Sequence, residues 1–127
     1  MNVKEIKTDK SPKAIGPYSQ GIMAGDTFYA SGAIGIDPVS GEPKEGIEGQ
    51  AEQALKNIGG ILEAAGLKYS DVVKSTCFLA DMGDFAKFNE IYSKYFNSDP
   101  KPARSCVAVK TLPKNLLCEI EVVAVKK

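Results

Sequence analysis

The chain has 127 residues, of which 43% are hydrophobic and 25% charged, ordinary values for one globular domain with a real core, expected to span 1–127. Sixteen basic residues balance sixteen acidic ones, so there is no global electrostatic footprint for nucleic acid or an anionic membrane. Histidine is absent, which removes Ser-His and Cys-His nucleophilic catalysis and most His-ligated metal sites; proton transfer falls to Glu, Asp, Tyr, Cys, Lys, water or the substrate.

In chain order, Val3 to Lys7 alternates as a short edge strand, and Lys4, Lys7, Lys10 and Lys13 read as solvated terminal lysines. Ala14-Ile15-Gly16-Pro17-Tyr18 is a shaped loop with Tyr18 at its apex. Ile22–Ala24 and Thr27–Ala30 flank Gly25-Asp26, a two-residue hairpin signal, and the second strand is expected to run on through Ser31-Gly32 to Ile36. The glycines there let a ligand or another backbone approach closely. From Ile47 the period becomes helical, with Ile47, Ala51, Ala54, Leu55, Ile58, Ile61, Leu62 and Ala65 on one stripe and Gly66 ending the helix. Gly59-Gly60 inside it reads as a place where a strand packs close, with a kink as the alternative. Val72–Ala80 is a strand. Asp84–Phe96 is a helix that buries Phe85, Phe88, Tyr92, Tyr95 and Phe96 and leaves Asn89 outside the stripe.

Pro102 to Val109 then reads as a strand with Arg104, Cys106 and Ala108 on one face and Ser105, Val107 and Val109 on the other. A guanidinium at the mouth of a small, apolar strand suits a carboxylate or phosphate; a surface arginine paired with a stray glutamate is the competing reading. After a loop around Pro113, the last strand alternates Cys118, Ile120, Val122 and Ala124 against Glu119, Glu121, Val123 and Val125. The order β-β-β-α-β-α-β-β gives two helices, which cover only one face of the sheet. Several strands are apolar on both faces, so the other face is expected to be buried against further copies of the chain, with clefts between them. Cys77, Cys106 and Cys118 form no CxxC pair and read as small buried thiols, which leaves no metal or disulfide framework. No apolar run reaches membrane-spanning length and no signal-peptide pattern appears, so no membrane association and a cytoplasmic protein are expected.

Ile15-Gly16-Pro17-Tyr18, Ala30-Ser31-Gly32, Asp84-Phe85 with Asn89, and Pro102-Ala103-Arg104-Ser105 through Leu112-Pro113 to Glu119-Ile120-Glu121 resemble, in this order, the RidA/YjgF/UK114 family of small imine deaminases. The resemblance implies an α+β, chorismate-mutase-like fold: a mixed, mainly antiparallel sheet with two helices packed on one face, assembled as a homotrimer with inter-subunit clefts. It implies hydrolysis of reactive 2-imino or enamine acids, such as 2-iminobutanoate and 2-iminopropanoate, to 2-oxo acids and ammonia, with no cofactor and no metal. By similarity Arg104 grips the substrate carboxylate and Glu119 holds or activates water; which of Glu119 and Glu121 faces the cleft stays open. Cys106 lies beside the ligand, offering backbone rather than a thiolate. Tyr18, Ser31 and Gly32 line the cleft, some of them from a neighbouring subunit; Asn89 matches a family position, where a structural role is expected.

Two departures from the family pattern stand out. Ala33 follows Ser31-Gly32 where many members have Gln, and Cys118 precedes the Glu where a branched aliphatic is common. Two other functions fit the same residues: a non-catalytic binder or regulator responding to 2-oxo acids, and an RNA-directed nuclease or translation inhibitor. Neutral charge and the lack of a basic–aromatic surface argue against nucleic acid as a partner.

Overall fold

The computed structural model describes residues 2–127. The elements are β1 (Val3–Ile6), β2 (Gly21–Ala24), β3 (Thr27–Ala30), β4 (Ala33–Ile34), α1 (Gly46–Ala64), β5 (Val72–Leu79), α2 (Phe85–Tyr95), β6 (Ala103–Ala108) and β7 (Cys118–Val125). They form an α+β fold with one mixed sheet in the order β1-β2-β3-β7-β5-β6, where β4 also pairs β7. Every pairing is antiparallel except β5 with β6, which run parallel with Cys77 opposite Cys106. That parallel pair follows from α2, which carries the chain back between the two strands. Among the described residues no helix is long and apolar enough to cross a membrane.

Both helices pack on the same face of the sheet. That face carries Phe28, Cys77, Leu79, Ile120, Val122 and Ala124, all almost fully buried against Leu55, Ile58 and Leu62 of α1 and Phe88 of α2. Burying a side chain of the size of Phe88 contributes roughly 2–3 kcal/mol. The apolar stripe expected of α1 is the one it buries, save for half-buried Ala65. Its end is a Schellman motif: Gly66 at φ +76° donates to the Glu63 carbonyl, and Leu67 donates to that of Leu62.

Three expectations need correction. The strand after the hairpin stops at Ala30 and resumes at Ala33, rather than running through Ser31-Gly32. From Tyr29 to Ala33 the chain takes four steps while β7, from Val123 to Ile120, takes three, so one extra residue bulges at Ser31-Gly32. Gly59 and Gly60 do not receive a strand: a Cβ on Gly60 would lie 2.7 Å from the Lys10 carbonyl oxygen, and Gly59 faces the Tyr69 hydroxyl. Here α1 is crossed by the N-terminal link and one tyrosine. Finally, Asn89 is half-buried at the edge of the stripe of α2 rather than turned away from it, because positions 85, 89 and 92 share one helical face.

Buried amides, which a hydrophobic pattern does not register, fasten the loops to this frame. Asn57 of α1 is fully buried and donates to the carbonyls of Ile34 (3.0 Å) and Ile36 (2.9 Å), while Gln53 donates to Asn57. Gln50 accepts from the Leu117 N–H at 2.8 Å. Gln20 donates to the carbonyls of Thr8, Ser11 and Pro12 and accepts from the Thr8 N–H, which fixes the N-terminal link on the sheet.

Candidate functional site

On the face of β7 away from the helices, Glu119 lies opposite Ile34 of β4 and Phe78 of β5. Its carboxylate rests against Gly32: a Cβ there would stand 2.7 Å from the Glu119 Cδ and overlap the carboxylate oxygen. The bulge and the missing side chain together make the space for this acid. Burial, and secondarily the nearby Glu121 carboxylate, raises the pKa of Glu119. Glu121 does not share the cavity, so of the two acids Glu119 is the one that faces it.

That cavity has a volume of about 800 Å³. Its lining includes Tyr18, Ser31, Gly32 and Glu119, with apolar walls from Pro12, Ile15 and Ile36. The fixed N-terminal link supplies one wall, which is why the Gln20 anchor matters to the site. Tyr18 is 52% exposed, and its hydroxyl accepts from the Ile15 N–H at 3.3 Å while keeping its own O–H to donate. The Ser31 hydroxyl donates to the Ser19 carbonyl at 2.6 Å, so its proton is committed to the fold and its oxygen remains as an acceptor.

Arg104 and Cys106 do not join this group. In the β5–β6 register Arg104 stands beside Ser75 and Cys106 beside Cys77, on the helix-covered face, whereas Glu119 shares the opposite face with Phe78. The Arg104 guanidinium stacks on α2, 4.7 Å from the centre of the Tyr92 ring and 5.6 Å from that of Phe85. It donates through Nη1 to the Asn89 side-chain oxygen at 2.7 Å. Among the described residues no carboxylate lies within ion-pair distance of Arg104. The stray-glutamate reading is therefore not what the structure holds: the cation is half-buried, oriented and without a counter-ion.

Cys106 is half-buried, and burial raises its thiol pKa against the opposing pull of Arg104. Cys77 and Cys118 are pushed up to about 12 by burial. At all three, burial disfavours the thiolate that a nucleophile needs.

The arrangement is a half-buried acid in an apolar cavity on one face and an unpaired guanidinium on the other. A profile of the family described as Endoribonuclease L-PSP matches residues 8–126. The chain belongs to that family. Its members are the RidA/YjgF-type proteins that the four motif blocks resemble. Among family relatives, a RutC family protein of Pyrococcus horikoshii is 52% identical over 96% of this chain and 97% of its own length. The 2-iminobutanoate/2-iminopropanoate deaminase of Homo sapiens is 51% identical over 95% and 88%, respectively. Among solved structures of the family, Escherichia coli TdcF with bound serine superposes with a TM-score of 0.93 at 42% identity, covering 98% of this chain and 99% of that one.

The sequence reading missed the contact of Asn89 with Arg104 and the cavity walls. The first was accessible: an Asn four residues after Phe85 and three before Tyr92 shares their face. The walls were not, because they come from loops whose meeting depends on the buried amides.

Proposed function

We propose that the chain hydrolyses 2-imino acids and their enamine tautomers to 2-oxo acids and ammonia, in the cytoplasm and without a cofactor. The observation that carries this reading is the unpaired Arg104 guanidinium, stacked and hydrogen-bonded but with its charge unanswered. A small carboxylic acid is the natural counter-ion, and a bidentate contact would orient the adjacent C=N bond. Relatives named 2-iminobutanoate/2-iminopropanoate deaminase at 46–51% identity support the same substrate class.

In this reading water adds to the imine carbon, and Glu119 takes a proton from the water and delivers it to nitrogen. The resulting carbinolamine then loses ammonia as its hydroxyl becomes the C=O. The raised affinity of Glu119 for a proton suits such a shuttle, a role typically worth roughly 10²–10⁴-fold. Tyr18 adds a hydrogen bond, and Ser31, Gly32 and the backbone at Cys106 line the ligand. Because Arg104 and Glu119 lie on opposite faces of one sheet, they meet only across two copies of the chain. We therefore infer a chorismate-mutase-like homotrimer with the substrate in the clefts between subunits. The apolar residues on the open face, including Tyr29 at 50% and Val107 at 46% exposure, supply surface for that assembly.

The test is a coupled assay. With a pyridoxal-phosphate dehydratase and its amino acid, added protein is expected to accelerate 2-oxo acid release, and Arg104→Ala to cut the acceleration at least ~10²-fold. Absence of acceleration by the wild-type chain overturns the enzymatic reading. Thermal stabilisation by 2-oxo acids without turnover would then assign a binder.

A further inference from the structure

The group that orients Arg104 is an amide, not an acid. A guanidinium half-buried against two aromatic rings is ordinarily held by a carboxylate, which gives the stronger hydrogen bond. Here Asn89 accepts from Nη1 at 2.7 Å, and the ring beneath the cation is itself fixed: the Tyr92 and Ser75 hydroxyls share a 2.6 Å hydrogen bond in the core. Burial raises the Tyr92 pKa, and the phenol stays neutral. The groups that hold the Arg104 head, Asn89 by a hydrogen bond and Tyr92 and Phe85 by stacking, are uncharged, and among the described residues none of the ion pairs includes Arg104. The cradle fixes direction without neutralising charge.

We propose that Asn89 is a positioning residue whose neutrality is its function: it orients the Arg104 guanidinium while leaving its full positive charge for the substrate carboxylate. This rests on the reading of Arg104 as the carboxylate clamp. A carboxylate at position 89 would keep the hydrogen bond and the shape but supply a permanent internal counter-ion that competes with substrate. The proposal therefore separates two effects that a purely structural asparagine would not separate.

The experiment compares Asn89→Asp, Asn89→Ala and Arg104→Ala with wild type, by melting temperature, by 2-oxobutanoate binding and by coupled-assay kinetics. Asn89→Asp is expected to melt at or above the wild-type temperature and to weaken 2-oxobutanoate binding and raise KM about tenfold, with kcat held within about threefold, because uniform carboxylate binding is what is lost. Asn89→Ala, which loosens the guanidinium but leaves it charged, is expected to weaken binding less than Asn89→Asp. A structural role predicts the reverse order, since the acid still accepts the hydrogen bond and the alanine does not. That reverse order, or wild-type binding by Asn89→Asp, overturns the proposal. So does an Asn89→Asp chain that fails to fold, because a carboxylate must pair comfortably with Arg104 if it is to compete. Retained binding by Arg104→Ala would instead sink the clamp reading itself.

Discussion

Glu119 is held where ionisation costs more than it does in water, by its burial and by Glu121. With its folded pKa above the unfolded one, the group binds its proton more tightly when folded. It weighs against the folded state once pH rises past the unfolded value, and most fully above the folded one. Glu119→Gln is accordingly expected to raise the melting temperature at pH 7 and to raise it less at about pH 4, near the unfolded carboxyl value. Differential scanning calorimetry at the two pH values checks this, and equal shifts would mean that the carboxyl is not strained. The same substitution should abolish most turnover, the expected trade between stability and activity at a site of this kind.

Among the elements, α1 does more than cover the sheet. Its apolar stripe buries the core, and a second row, Gln50, Gln53 and Asn57, ties β4 and the neighbouring loops beside the cavity. Removing the Asn57 side chain leaves the Ile36 carbonyl without its donor and the Gln53 amide without its acceptor in a buried setting, while the Ile34 carbonyl keeps the Ile36 N–H. Asn57→Ala is therefore expected to cost about 2–4 kcal/mol, on the order of 10 °C in melting temperature. Chemical denaturation checks the first figure, and a cost under about 1 kcal/mol would show that water replaces the amide. These elements were legible from the sequence to different degrees. The stripe of α1, its Gly66 terminus, the Gly25-Asp26 hairpin and the alternation of β7 follow local rules of period and turn chemistry. The break at Ser31-Gly32 does not, because a bulge is defined by its partner strand: only the register against β7 exposes the extra residue. Asn57 was opaque for a related reason, since hydropathy ranks a buried amide with solvent-facing ones.

For the whole molecule, the distribution of the site residues gives the sharpest test. Alternation alone separates Arg104 from Glu119 only when the pairing of β5, β6 and β7 is known, so their placement on opposite faces was beyond the sequence, whereas the face of each within its own strand was not. If each site draws its guanidinium from one copy and its acid from the next, co-refolding equal amounts of Arg104→Ala and Glu119→Gln chains places both intact residues together in about a quarter of the clefts. About a quarter of wild-type activity is the expected recovery, from two parents that are each inactive. Recovery no greater than the parents' own activities would mean that one copy of the chain supplies the whole site. Sedimentation equilibrium of the same mixture should report three copies per particle.

The seat of Glu119 against Gly32 also bears on how this chain can change over generations. Any one-base missense change in a glycine codon introduces a Cβ, and at this position each would drive an atom into the carboxylate. Such a change is met by moving the acid, so its cost falls on the placement of the Glu119 carboxylate more than on the fold. A lineage that no longer needs the acid in this seat is free to vary here.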